Sequence, residues 1–323
     1  MKLHQLRYLA AVAQTGLNIT AAAEKLHTSQ PGVSKQIKLL EDELGFQIFV
    51  RDGRNLARIT PAGQQVVDRA IRILREVRNI KHLSEELKDE SRGTLSIATT
   101  HTQARYVLPE VIKQFRDKYP DVGLHLHQGT SEQIAEMAAL DRIDFAIATG
   151  SQSLFEGYSL LPCYRWHRHV VVPKGHPFAK CKKLTLKQLA AQPIVTYVFG
   201  FTGPSSLQQI FADQGLVPNV VLTARDADVI KTYVRLGLGV GIVASMAIDD
   251  SDTDLVEIDT SDLFPAHVTW IGFRRGGLLR KYQLDFMQLF APHLTRRVIE
   301  RATNATTQAD VDALTKDLEL PLR

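Results

Sequence analysis

The 323-residue sequence predicts a mixed α/β protein: an all-α head, a long connecting helix and a two-lobed α/β body. Three observations predict it. Three short apolar-periodic stretches lie before residue 45, an alternating 4-and-3 apolar spacing runs from residue 66 to 87, and beyond residue 93 short β-rich runs alternate with helical ones. The length exceeds one ordinary domain, so each part can bury a core of its own. The expected divisions are 1–59 for the head, 60–88 for the connecting helix and 93–293 for the body. Within the body, one lobe is expected over about 93–163 and 267–293 and the other over about 164–266, leaving 294–323 as a tail without an assigned role.

Composition narrows the class. With 44% hydrophobic and 23% charged residues the chain has the balance of a soluble globular protein. Its longest apolar run, Leu236–Ile248, spans 13 residues with three glycines, short of the roughly 18 needed for a membrane span. Lys2, His4 and Arg7 interrupt what would be a secretory leader, so a cytoplasmic location is expected. The two cysteines, Cys163 and Cys181, have no histidines at ligand spacing and read as structural thiols. Residues 1–90 carry 14 Lys and Arg against 11 Asp and Glu, a surplus of three, whereas the remainder has a surplus of one. This asymmetry fits a head that meets an anionic partner and equally a solvated surface, so the residue pattern has to decide.

In the head, Leu3, Leu6, Leu9, Ala10 and Ala13 recur at helical spacing up to Gly16. Thr20 is expected to cap a second, short helix over 21–26. Ser29 caps a third, with Pro31 in its first turn, where a missing N–H costs nothing. Val33, Ile37, Leu40 and Leu44 form its apolar stripe, which turns Gln30, Ser34, Lys35 and Lys38 elsewhere. A short helix, a tight turn and a longer helix with a polar, cationic face make a helix-turn-helix, here over 19–38. Thr28, Ser29, Gln30, Pro31 and Ser34 then lie where the helix start meets duplex DNA, Gln30 and Ser34 at base edges, and Lys35 and Lys38 at phosphates. A plain three-helix bundle with a solvated face fits the same pattern. Phe49 to Ile59 reads as two strands about Gly53, a wing whose Arg51, Arg54 and Arg58 can touch the DNA backbone.

Thr60 and Pro61 open the connecting helix, and Val66, Ala70, Ile73, Val77, Ile80, Ser84 and Leu87 set a 3.5-residue period. That period predicts pairing of two chains, although a lone amphipathic helix packed on its own head shares the pattern. A homodimer would present two reading heads and call for an operator with half-site symmetry. Lys88–Gly93 is the expected hinge.

In the body, strands at 95–98, 122–127 and 144–148 with helices at 106–119 and 132–140 between them spell βαβαβ and a parallel sheet. A second α/β lobe follows, with strands at 170–173, 194–197, 220–223 and 241–243 and helices near 184–191, 205–214 and 227–236; a strand at 267–273 and a helix near 279–290 close the pattern. Ligands of open α/β sheets sit beyond the carboxyl ends of strands. Thr100, Thr102 and Gln103 follow the first strand, Thr149 follows the third, and Thr202 lies in a strand-to-helix turn of the second lobe, so backbone N–H, hydroxyl and amide donors could gather an anion there. Simple capping by these threonines is the alternative. Gly237–Gly241 follows a helix and enters a strand, the reverse of a dinucleotide fingerprint. His125, His127, His167 and His169 lack partners in the sequence for a metal shell, and no nucleophile elbow or paired-carboxylate pattern marks a catalytic residue. No metal, no cofactor and no enzyme activity are expected.

The stretches NITAAAEKL (18–26), SQPGVS (29–34), LEDELG (40–45) and TPAG (60–63), with Gln36, Ile37, Phe49 and Arg51, resemble the amino-terminal winged helix-turn-helix of LysR-type transcriptional regulators. Ile48, Val50 and Gly32 vary common positions of that pattern. TTHTQARY (99–106), LPCY (161–164), FGFTG (199–203) and DADVIKTYVRLGLGVG (226–241) resemble its cysteine-regulon, CysB/Cbl-like branch. The resemblance implies a body like periplasmic binding proteins, assembly as a homodimer or homotetramer, contact with RNA polymerase, and control of cysteine biosynthesis and sulfur assimilation, with activation or repression left open by the sequence. It carries ligand binding to Thr100, Thr102, Gln103, Thr149 and Thr202, with Trp166 nearby, and implies an effector of the N-acetylserine, sulfate or adenylyl sulfate type. A same-family regulator of sulfonate or sulfate-ester use is the nearest alternative; a solute receptor or an anion-processing enzyme is a distant one.

Overall fold

The structure, a computed structural model, describes residues 1–52, 55–86, 92–198 and 207–323. The chain divides into two compact units, Met1–Glu90 and Ser91–Arg323.

The first unit runs α1 (Leu3–Gln14), α2 (Ile19–Lys25), α3 (Gln30–Leu44), β1 (Phe49–Asp52), β2 (Asn55–Ile59) and α4 (Pro61–Glu86). The cap of α2 is Asn18 rather than Thr20. Its extended backbone lets the side chain accept from Ala21 N at 3.0 Å, which leaves Thr20 inside the first turn. Ser29 caps α3 as expected, accepting from Gly32 N at 3.3 Å, and Gly45 closes it with a left-handed φ of 75°. Val33, Ile37 and Leu40 are fully buried and pack with Leu9, Val12, Ala22 and Phe49. Glu41, buried on the same helix, accepts from Ile48 N (2.8 Å) and Phe49 N (3.0 Å), and so ties α3 to the first strand of the wing.

Thr60 caps α4 by accepting from Gly63 N at 2.9 Å. A Cβ on Gly63 would sit 2.2 Å from Ile48 O, so only glycine allows this approach of helix to wing. Val67 and Ala70 are buried in the head's own core, with Val66, Ile71 and Leu74 packed beside them. This corrects the assignment of Val66 and Ala70 to a seam between chains: the first turns of α4 have apolar surface of the head to cover. Farther along, Ile73 is 40% and Ile80 67% exposed. Leu87 and Lys88 lie outside the described residues.

The second unit continues with β3 (Gly93–Thr99), α5 (Leu108–Lys118), β4 (Val122–Gln128), α6 (Ser131–Ala139), β5 (Phe145–Thr149), β6 (Tyr158–Trp166), β7 (Arg168–Pro173), α7 (Leu186–Ala190), β8 (Pro193–Tyr197), α8 (Leu207–Ala212), β9 (Asn219–Ala224), α9 (Ala227–Arg235), β10 (Val240–Ala244), β11 (Leu255–Ile258), β12 (His267–Arg274), α10 (Lys281–Phe290), α11 (Arg296–Thr303) and α12 (Gln308–Thr315). One sheet has the order β4-β3-β5-β12-β6 and the other β11-β7-β10-β8-β9. The βαβαβ expectation corresponds to β3, β4 and β5, which are parallel, and β12 then inserts antiparallel between β5 and β6.

Three features depart from the sequence reading. The helix expected from Tyr106 is a π-helical turn over Gln103–Val107 that becomes α-helical at Leu108. Pro109, which has no N–H to donate, sits at the start of the new register. The nine-residue β6 extends the first lobe's sheet to Trp166, past the expected boundary at 163, and β11 adds an edge strand to the second. The tail is also structured. Thr295 and Thr307 cap α11 and α12, whose Ile299, Ala302 and Val311 join the core, and the Gln308 amide clasps Leu160 through N–H (3.0 Å) and C=O (2.9 Å). The first lobe therefore extends past 293.

Candidate DNA-reading head and ligand cleft

In the head, Gln30, Pro31, Lys35 and Lys38 are exposed and Thr28 and Ser34 half-buried. Gln30, Ser34 and Lys38 follow at i, i+4 and i+8, a row of α3 that borders its buried stripe. That row carries an amide, a hydroxyl and an ammonium, the groups that read base edges and hold phosphates. Ser29 Oγ accepts from Gly32 N as the cap and keeps its O–H to donate. Arg51 reaches from β1 to within 3.6 Å of the Glu41 carboxylate, so part of its charge steadies the wing. Arg54 lies outside the described residues.

In the body, three ligand-site expectations converge on a residue the sequence did not mark. Thr269, fully buried in β12, lies 2.8 Å from the Thr149 hydroxyl, accepts from Gln103 Nε2 (3.4 Å) and accepts from Trp166 Nε1 (3.1 Å). Trp166 also points its N–H at Thr149 Oγ1, at 3.4 Å. The Tyr164 hydroxyl donates to Gln103 Oε1. These are neutral donors gathered beyond the carboxyl ends of β3 and β5, the arrangement that can surround an anion without a fixed cation. Thr102, buried, lies within hydrogen-bonding reach of the Tyr197 phenol in β8 and so touches the other lobe. Thr100 is half-buried beside it. Thr202 lies outside the described residues. Thr269 and Tyr164 were missed because nothing local distinguishes them; antiparallel pairing of β12 with β5 and β6 brings them in.

A second group closes the lobes against each other. The Asp228 carboxylate, near the start of α9, accepts from the Tyr106 hydroxyl at 2.6 Å and lies 3.3 Å from His101 Nε2. Burial alone would raise its pKa, but hydrogen bonds from Tyr106 and His101, with Lys231 and Arg105 nearby, leave it below the usual carboxylate range. Burial and the same carboxylate push the Tyr106 phenol up. Among the described residues, His101, Asp226 and Asp228 bring potential metal-ligand atoms together, but Asp226 caps α9 through Val229 N (2.8 Å) and Asp228 is engaged as above. His169 does have carboxylate neighbours, Glu257 and, at 3.2 Å, Asp259, because β11 pairs with β7; this corrects the expectation of an unpartnered histidine.

A helix-turn-helix with a wing, joined through a long helix to a two-lobed α/β body with a cleft of donors, defines a ligand-responsive DNA-binding regulator. The chain belongs to the LysR family: its residues 3–64 match the family of bacterial regulatory helix-turn-helix proteins, lysR family, and residues 88–295 match the LysR substrate binding domain. This is a family of transcription regulators and not of enzymes. The chain is 50% identical over 320 residues to the HTH-type transcriptional regulator CysB of Haemophilus influenzae, covering 99% of each. It is 47% identical over 300 residues to the HTH-type transcriptional regulator SsuR of Burkholderia cenocepacia, covering 93% of this chain and 97% of that one. The solved cofactor-binding domain of the Cbl transcriptional regulator superposes with a TM-score of 0.62 at 42% identity, over 66% of this chain and 95% of that one.

Proposed function

We propose that this protein regulates genes of sulfur assimilation and cysteine biosynthesis, reading promoter DNA with Thr28, Ser29, Gln30, Pro31, Ser34, Lys35, Lys38, Arg51 and Arg54. A small anionic effector of the N-acetylserine, sulfate or adenylyl sulfate type binds between the lobes, held by Thr100, Thr102, Gln103, Thr149, Thr202 and Trp166. The observation that carries this reading is the convergence of Gln103, Thr149 and Trp166 on one buried hydroxyl, Thr269, in a chain half identical to CysB.

An effector that binds one lobe arrangement better than another shifts the population toward it, and one with equal affinity for both shifts nothing. Two chains pair through the exposed apolar stretch of α4 around Ile73 and Ile80, and the paired helices pass the bias to the spacing of two heads on an operator with half-site symmetry. The protein acts in the cytoplasm as an activator that meets RNA polymerase.

Footprints on promoters of sulfate-assimilation genes, with and without N-acetylserine and sulfate, test the reading. An effector-dependent change in protection is expected; identical footprints under every condition remove these effectors. The likeness to SsuR favours one second reading, control of sulfonate or sulfate-ester use, which promoter-reporter fusions of those genes would separate from the first.

A further inference from the structure

The stretch Pro321–Arg323 runs alongside β6. Arg165 N donates to Pro321 O at 2.8 Å, Arg323 N donates back to Arg165 O at 2.9 Å, and Leu322 forms a parallel bridge with Arg165. Two more contacts leave the same stretch. Ser245 Oγ, just past the end of β10 in the second lobe, donates to Arg323 O at 2.8 Å, and the Arg323 guanidinium lies 5.1 Å over the ring of Tyr164. Ser245 N in turn donates to the carbonyl of His167, where the chain crosses from one sheet to the other. Three residues thus touch the first lobe, the crossover and an aromatic ring one bond from the cleft.

That ring matters because of what its hydroxyl does. Tyr164 is 1% exposed, and its O–H donates to Gln103 Oε1. An amide whose oxygen is claimed must turn its NH2 the other way, and Gln103 Nε2 accordingly points at Thr269 in the hydroxyl cluster. A Gln103 turned over would present an acceptor to an anion and repel it. We propose that Arg323 is a positioning residue of the effector site: the cation over Tyr164 holds the ring that fixes Gln103 as a donor, and the strand-like pairing of 321–323 holds Arg323 across the lobe crossover. This rests on the reading of the cleft as the effector site.

The test uses the full chain, Arg323→Ala, Arg323→Lys and a form ending at Leu320, titrated with sulfate and with N-acetylserine while following tryptophan emission, to which Trp166 and Trp270 both contribute. Arg323→Ala is expected to weaken binding about five- to tenfold, the shortened form at least as much, and Arg323→Lys to recover most of the loss, with ligand-free melting temperatures unchanged. Wild-type affinity in Arg323→Ala would overturn the proposal. So would an equal loss in Arg323→Lys and Arg323→Ala accompanied by a lower melting temperature, which would make the arginine a structural prop. A ligand-free readout separates this inference from the effector reading: the side-chain NH2 resonances of Gln103 are expected to move in Arg323→Ala. If they do not, the inference fails even if the effector reading stands; if they move but the full chain binds neither anion, the effector assignment fails instead.

Discussion

Lys231 Nζ lies 2.7 Å from Asp252 Oδ2 in the second lobe, with Ala247 O at 2.9 Å and, farther off, Asp228 Oδ1 at 3.7 Å also around it. Both residues are buried, and Arg235 approaches the other carboxylate oxygen at 2.7 Å. Removing one member of a buried pair strands the other's charge, which costs more than the pair contributes. Asp252→Asn is therefore expected to destabilise the body by about 3 kcal/mol. Lys231→Met should cost less, because Asp252 keeps Arg235. Urea unfolding of both variants checks the order, and a smaller loss for Asp252→Asn than for Lys231→Met would contradict it.

On the head, Gln30→Ala is expected to relax base preference, whereas Lys35→Ala weakens binding to all sequences and flattens the salt dependence by about one unit of slope. Binding titrations against specific and scrambled duplexes at several salt concentrations distinguish the two. Loss of sequence preference in the lysine variant alone would mean that these roles are exchanged.

Ile80, 67% exposed on α4, is expected to lie in the contact between two chains. Ile80→Glu should shift the protein toward monomer in sedimentation velocity without lowering the melting temperature of the body. An unchanged sedimentation coefficient would exclude this stretch of helix from the interface.

His267 lies against Trp166 with ring centroids 4.6 Å apart, and its buried Nε2 has no hydrogen-bond partner among the described residues. Burial, then the nearby Arg168 and His167, lowers its pKa from 6.5 to about 4. The unfolded chain takes up this proton near pH 6.5 and the folded one only near pH 4. Stability is therefore intact above pH 6.5, falls as pH drops through that window, and levels off below it. Up to about 3 kcal/mol of acid sensitivity is expected from this group. His267→Phe keeps the ring contact and should flatten that part of the profile; a profile as steep as wild type would assign the sensitivity to other groups.

Much of this was legible in the sequence, and its failures have physical causes. The stripe Val33, Ile37 and Leu40 and the cap Ser29 are local features, as are the parallel strands β3, β5 and β8. Strand β6 was not legible, because YSLLPCYRW is buried almost throughout, lacks a two-residue alternation and contains Pro162. Gln103 and Thr149 could be picked by their places after strands, but Thr269 enters the cluster only through pairing with segments more than 100 residues away in sequence. The helices that Thr295 and Thr307 open were not read from the sequence, because they are short, bury little on their own and gain their apolar contacts only against the body's core.

The missing side chain at Gly63 has a mechanical result. With the Ile48 carbonyl occupying the space of a methyl group, helix and wing meet in a tight corner, and any larger residue at 63 would have to push the first turn of α4 away from the backbone that leads into β1.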